Sequence, residues 1–210
     1  MAKKQKIKPQ LLIITGPQGS GNHLFAKIFA SHRSVYGWKL QVDEWQGHHD
    51  EPFGIFWKKP ELLIKQKPKN KYYVTSISCP YFLNKKPTIP DYKKFIKFAT
   101  QIFDIKIIII GRDKNILKQQ QKRVRNKHTT PIAKDEFKLL YKFKPLFVSQ
   151  ELFALYGTEY IRSLNNQIQI PLDYSIIDSL KYYNANKNYI KKNKKGLFDK
   201  QAHRTSYIES

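Results

Sequence analysis

The stretch Gly16-Pro17-Gln18-Gly19-Ser20-Gly21 places three glycines within six positions, between the apolar run Leu11 to Ile14 and the helix-compatible segment HLFAKIFA. Glycines spaced this way let backbone N–H groups converge on one point, and a helix starting there adds the positive end of its dipole. The chemistry such a turn supports is anion binding, phosphate above all. Ser20 would add a hydroxyl donor, and His23 a ring N–H in the first helical turn. The spacing from Gly16 to Gly21 is that of the G-x-x-x-x-G-K-[ST] phosphate loop, but Asn22 and His23 stand where the lysine and the hydroxyl residue belong. Without the lysine, a triphosphate loses its point charge. Without the hydroxyl, Mg2+ loses its usual ligand, so a nucleotide bound without metal is expected rather than ordinary NTP hydrolysis. The bland alternative is a strand-to-helix turn with no ligand.

A second candidate is Arg112, in KIIIIGRD. An arginine just past a buried strand lies where a parallel sheet meets its ligands. Its alternative role is to pair with a carboxylate such as Asp113. Lys118, Lys122, Arg123 and Arg125 follow, either as a solvated helix face or as an extension of a phosphate site. A third candidate is VDEWQGHHDEP, which gathers Asp43, Glu44, His48, His49, Asp50 and Glu51 in an otherwise basic chain. A general base for a hydroxyl acceptor would come from here, in the order Glu44, His48, His49, Asp43. The other reading is a polar surface loop. No third ligand at diagnostic spacing joins His48, His49 and Asp50, so no metal is expected. Trp38, Trp45 and Trp57 bracket the loop as ring-binding surfaces or as core anchors.

The elements that must hold these residues follow from the apolar pattern. Leu11 to Ile14, residues 72 to 78 (YYVTSIS, stopped at Cys79-Pro80) and residues 106 to 113 read as strands. A short strand is expected in NQIQIP. Helices are expected over 22–32, 91–103 and 113–126, the last capped by Asp113. Helical patterning then runs from Thr130-Pro131 to Gly157, interrupted near Pro145, and again over YSIIDSLKYYNANKNYIKK. Residues 43–60 read as a loop with short helical pieces. Alternation of strands with helices predicts an α/β three-layer sandwich with a mainly parallel sheet, with residues 1–9 a basic tail and residues 10–210 one domain. Both glycine turns, after Ile14 and after Ile110, fall at carboxyl ends of strands.

Three stretches resemble the sulfotransferases, the P-loop-related family that uses 3′-phosphoadenosine 5′-phosphosulfate (PAPS) without Mg2+. ITGPQGSGNHLFAKIFASH is similar to the family's 5′-phosphosulfate loop and helix, including the pair Ser20-Gly21. IIIIGRDKNILKQQQKR is similar to the strand and arginine that bind the 3′-phosphate, with Arg112 at the arginine position. IQIPLDYSIIDSLKYYNANKNYI resembles the late strand and helix that close the core, and KKGLFDKQAHRTSYI the C-terminal loop over the cofactor. The resemblance implies a fold like that of the P-loop-containing nucleoside triphosphate hydrolases. It implies cofactor contacts from Gly16, Gln18, Gly19, Ser20, Gly21, Asn22, His23, Arg112, Gln120 and Arg204, with Glu44, His48 or His49 as base. Two positions depart from the pattern. Gly19 stands where the family has Lys or Arg, and Gln120 where it has a serine. Lys27, Lys39, Arg125 or Arg204 would have to replace the cation. The implied reaction moves a sulfuryl group from PAPS to a hydroxyl of a carbohydrate or small molecule, leaving 3′-phosphoadenosine 5′-phosphate (PAP).

Composition bounds the remaining classes. With 210 residues and 40% hydrophobic content, the chain is long enough to bury a substantial core. No apolar run approaches the roughly 20 residues that cross a bilayer, and LLIIT is too short for a signal-peptide core, so a soluble, cytoplasmic protein is expected. One cysteine, Cys79, excludes an internal disulfide. Net charge is +23, from 39 basic and 16 acidic residues. Lysine dominates over arginine, the residue that reads nucleic acid, and Lys, Asn, Ile and Tyr share AT-rich codons, so nucleic acid is not the expected partner. Two other readings stay open: a degenerate P-loop nucleotide-binding protein or small-molecule kinase, and a non-catalytic basic module for a polyanion.

Overall fold

The computed structural model describes residues 8–39, 51–83, 86–126 and 128–179. Strand β1 (Gln10–Pro17) leads through the glycine turn into helix α1 (Asn22–Phe29) and the short strand β2 (Val35–Tyr36). Helix α2 (Gly54–Lys58) and a 3-10 turn (Pro60–Lys65) precede strand β3 (Tyr72–Cys79). A small hairpin, β4 (Tyr81–Leu83) with β5 (Lys86–Thr88), is followed by α3 (Tyr92–Ala99), β6 (Asp104–Gly111), α4 (Lys114–Arg125) and α5 (Thr130–Lys138). Strand β7 (Leu146–Ser149), long helix α6 (Gln150–Ile168) and α7 (Tyr174–Ser179) complete the described chain.

The main sheet has five strands in the order β2-β3-β1-β6-β7, every pair parallel. Because β1 is central and covered on both faces, its apolar residues run without a break. Leu11 and Ile13 pack against the layer containing Trp57, Phe95 and Phe137. Leu12 and Ile14 pack against Phe25, Phe29 and Phe153 on the other side. The isoleucines of β6 divide the same way, Ile107 and Ile109 to one face, Ile108 and Ile110 to the other. Helices therefore cover both sides: α2, α3 and α5 on one, α1, α6 and α7 on the other. This is the expected α/β sandwich, and its glycine turn after the central strand is consistent with the P-loop class. Among the described residues, no helix is long and apolar enough to cross a membrane.

Several element boundaries differ from the sequence reading. Asp113 caps α4, accepting from the N–H groups of Asn115 and Ile116 at 2.9 Å each, and Asn126 ends it in the left-handed conformation. The expected strand NQIQIP does not exist: Asn165 to Ile168 are the last turn of α6, and Gln169 closes it with φ 60°. Ile168 and Ile170 alternate because the helix end and the extended residue after it each bury one isoleucine in the same layer. The fifth strand is instead LFVS, β7, within a stretch read as helical. Only Leu146 and Val148 of that strand face the core layer that α6 covers, too few to establish a period of two. Gly157 breaks the helix as expected, with φ 51° and ψ −128°, yet helical residues resume beyond it to Ile168.

Ile108, fully buried in the middle of β6, tests how far this sheet carries the fold. Ile108→Ala is expected to cost about 2–5 kcal/mol in urea unfolding. Ile64→Ala, at a residue 51% exposed, is expected to stay within about 0.5 kcal/mol.

Candidate functional site

The carboxyl ends of β1, β3, β6 and β7 lie along one edge of the sheet. From β1 the chain passes through α1 to β2 and β3 on one side, then crosses through α3 to β6 on the other. The strand-end position above β1 is thus where connections diverge, the usual ligand crevice of such sheets.

The turn occupying that position is closely packed. Gly16 still pairs with Ser78 in the β1–β3 register. A Cβ there would lie 2.6 Å from the Ile110 carbonyl oxygen and 2.5 Å from Ser20 Oγ, so only glycine fits between the strands. Gly19 and Gly21 have φ of 87° and 101°, the left-handed region that other residues resist. The Ser20 N–H donates to the Pro17 carbonyl at 3.1 Å, closing the turn. Gly21 is then the N-cap of α1, and no side chain caps that helix. Its leading N–H groups are the turn's own donors for an anion.

The polar side chains of the turn face inward. Ser20, expected to offer its hydroxyl to a ligand, is fully buried and donates to Asn22 Oδ1 at 3.0 Å. Asn22 Nδ2 donates to the Gly16 carbonyl at 3.1 Å and to Ser78 Oγ at 2.9 Å. A carboxamide thus joins β1 to β3 at the lysine position of an ordinary phosphate loop, adding no charge.

Helix α4 grips the turn from the other side. Arg112, 9% exposed, donates from Nη1 to the Gly19 carbonyl at 2.7 Å and to Gln120 Oε1. The Gln120 amide lies over Gly19, where an added Cβ would come within 2.9 Å of it. Gln121 Nε2 donates to the Gln18 carbonyl at 2.8 Å, and its oxygen accepts from the Thr129 N–H at 2.9 Å and the Thr130 hydroxyl at 3.2 Å. From the first turn of α6, Glu151 accepts from the Asp113 N–H at 2.9 Å, and the buried Gln150 amide sits over Gly21 with its Oε1 unpartnered. Gly16, Gly19, Ser20, Asn22, Arg112 and Gln120 therefore come together from distant stretches. Gln121, Gln150 and Ser78 belong with them but were not singled out in the sequence. Nothing in the run QQQ says which glutamine points at the turn, and Gln150 depends on a strand that the pattern did not reveal.

His23 occupies the first turn of α1, its ring edge-on to Trp38 at 4.8 Å, with Lys27 Nζ 5.0 Å from the centre of the same indole. Burial, and then the Lys27 charge, lower its pKa from 6.5 to about 4, so the ring is neutral at neutral pH. Trp57 is a core anchor: it stacks on Phe95 at 3.7 Å and donates from Nε1 to Thr75 at 3.0 Å. Among the cations considered to replace the missing one, Lys39 is bound to the Ala30, His32 and Val35 carbonyls at the far end of α1. Glu44, His48, His49 and Arg204 lie outside the described residues, as do Asp43, Asp50 and Trp45. Among the described residues, no cluster of three or more His, Cys, Asp or Glu could hold a metal ion.

Glu51, at the end of the acidic stretch, has a different place. Strand β2 pairs with Tyr72 and Tyr73, and among the described residues no strand covers the outer edge of β3 beyond them. Glu51 Oε1 takes the Ser76 N–H on that edge at 2.9 Å. Its carboxyl is 4% exposed, and Oε2 has no partner. Burial raises its pKa to about 8, against the opposing pull of Thr75 and the Ser76 N–H. The group is a neutral acid at neutral pH.

No protein-family model matches the chain, and no curated protein does. Among solved structures, the chain is similar to the sulfotransferase domain of the olefin synthase of Synechococcus PCC 7002. That similarity has 13% sequence identity and a TM-score of 0.47, covering 81% of this chain and 77% of that one.

The raised Glu51 pKa carries a sign. Its contribution is fully present below the unfolded value of 4.5 and is lost as pH rises through about 8. Glu51→Gln keeps an acceptor for Ser76 and cannot ionise, so its urea midpoint should exceed that of the wild type increasingly between pH 5 and 9. Midpoint differences that stay flat over that range would show that the carboxyl is not held neutral.

Proposed function

We propose that this protein binds PAPS at the glycine turn and transfers its sulfuryl group to a hydroxyl of a carbohydrate or small molecule. The observation that carries the reading is the uncapped start of α1 behind two left-handed glycines, at the ligand edge of a parallel sheet. The resemblance of this turn and of the Arg112 segment to the sulfotransferases supports the choice of ligand.

In this reading, backbone N–H groups from Gly19 to His23 hold the 5′-phosphosulfate, with the Gln150 amide able to turn its NH2 end toward it. Arg112 and Gln120 take the 3′-phosphate, and the charge of +23 draws an anionic donor to the chain. Gly19 cannot become the family's Lys or Arg without moving Gln120, because a Cβ would collide with that amide and φ is 87°. Any cation beside the phosphosulfate must then come from another segment, with Arg204 and Arg125 as candidates. Bound PAPS would supply the sulfuryl group and leave as PAP. Glu51 is buried with its Oε1 taken by the Ser76 N–H, so the base is assigned to Glu44, His48, His49 or Asp43 instead. The buried Asn22 amide also speaks against a kinase, since it supplies neither the lysine charge nor a Mg2+ ligand.

Calorimetric titration separates the readings. Saturable PAP binding without metal is expected, with weak or no binding of ATP whether or not Mg2+ is present. No saturable PAP binding would sink the proposal. A short oligonucleotide that binds steeply with salt and ignores changes in the turn would favour the polyanion-binding reading. Arg112→Ala should weaken PAP binding at least about 10-fold, the loss of one hydrogen bond to a charged group, whereas exposed Lys118→Ala should leave it nearly unchanged. Because Arg112 also holds Gly19, Gln120→Ala serves as a second variant that leaves the arginine in place.

A further inference from the structure

The link from α5 to β7 carries an exposed cluster of rings among lysines. Leu139 and Tyr141 are 51% and 53% exposed, Phe143 36% and Phe147 61%. A lone exposed apolar side chain means little, but four within nine positions form a patch of the kind that meets a partner.

The path of the chain brings these rings together. Leu140 is buried in the layer that α5 covers, and a 3-10 turn over Tyr141–Phe143 then leads to Lys144 and Pro145. Lys144 ends that turn at φ 49° and ψ 58°, a left-handed position that glycine or asparagine usually fills. On β7, the outermost strand of the sheet, Leu146 and Val148 face the layer shared with α6, so Phe147 turns to the opposite side. There its ring meets Tyr141 edge-on at 5.9 Å.

The charge around the rings has one sign. Lys142 Nζ lies 5.1 Å from the centre of the Phe143 ring. From Phe137 to Gln150 the chain carries Lys138, Lys142 and Lys144 and no acidic residue. Asp135, just before, is neutralised by Lys138 at 2.8 Å, which leaves the patch positive. Rings and leucine beside lysine ammonium groups match an anionic bilayer surface, where apolar side chains enter among the headgroups and lysines meet their charges. A nucleic-acid strand could meet the same charges. However, the Tyr141 and Phe147 planes stand 69° apart, not parallel as a series of stacked bases requires.

We propose that Leu139, Tyr141, Phe143 and Phe147, with Lys142 and Lys144, dock this protein on an anionic lipid surface. Phe147 lies three residues before Gln150, so their Cα atoms are at most roughly 11 Å apart and docking holds the glycine turn close to the bilayer. The docking surface does not depend on the activity proposed for that turn.

Flotation of the full chain with lipid vesicles tests this. Vesicles of phosphatidylcholine mixed with phosphatidylserine should carry the protein, whereas phosphatidylcholine alone should carry at least about 10-fold less. Hydrogen exchange of residues 139–147 should slow on the mixed vesicles. Phe143→Ser with Phe147→Ser keeps every charge and should weaken binding at least about 10-fold, as should Lys142→Gln with Lys144→Gln. The control pair Lys67→Gln with Lys69→Gln, exposed lysines before β3, removes the same charge and should change binding by less than about 3-fold. All of these residues are exposed, so each variant should keep the urea midpoint of the wild type. No binding to the mixed vesicles, or an equal loss in the control pair and the patch variants, would overturn the proposal. So would a single-stranded oligonucleotide or a second copy of the chain whose binding the Phe143 and Phe147 variant abolishes while vesicle binding persists.

Discussion

The close approach of Gly16 to the Ile110 carbonyl is the constraint on which the candidate site depends. It lets β1 keep its pairing with β3 through Gly16 and Pro17 while lying against the end of β6. In that confined space the Asn22 carboxamide bridges the Gly16 carbonyl and Ser78 and accepts from Ser20, so the turn satisfies its own polar groups. Buried polar groups left without partners would cost about 1–3 kcal/mol each, so Ser20 and Asn22, once buried, must find partners in one another and in the strands.

That packing divides the work of the site. Side chains of the turn build its shape, and the backbone keeps the donors that a ligand would use. Charge is supplied from outside the turn: Arg112 reaches it from the end of β6 and is itself shared between Gly19 and Gln120. A guanidinium held in this way is already oriented, so an anion placed against it would cost less conformational entropy. Glu51 shows the opposite strategy. It lies at the edge of β3 beyond the β2 pairing, protonated at neutral pH, as a hydrogen-bond partner rather than as a charge.

Much of the fold was legible in the sequence because burial on both faces leaves uninterrupted apolar runs. LLII and IIII could hardly be anything but central strands, and Asp113 marked the start of α4 through its capping side chain. The edges were not legible. β7 is four residues long with Phe147 turned to solvent, and β2 is two residues long, so neither builds a pattern. The alternation in NQIQIP misled because a helix end and an extended residue bury isoleucines at the same spacing as a strand.

By itself, the sequence determined that a glycine turn follows a buried strand, that Arg112 follows another, and that the lysine and hydroxyl of a metal-dependent phosphate loop are missing. Those are properties of residue type and local order, readable wherever the chain goes. Only the tertiary structure decided which polar groups face a ligand. Ser20 and Asn22 turned inward, Gln121 rather than a neighbouring glutamine gripped the Gln18 carbonyl, and Glu51 became a neutral edge cap. The reason is that hydrogen-bond partners and burial are set by segments far apart in sequence. Gly19 with Arg112, Asn22 with Ser78 and Glu51 with Ser76 become neighbours only when the parallel strands are laid side by side.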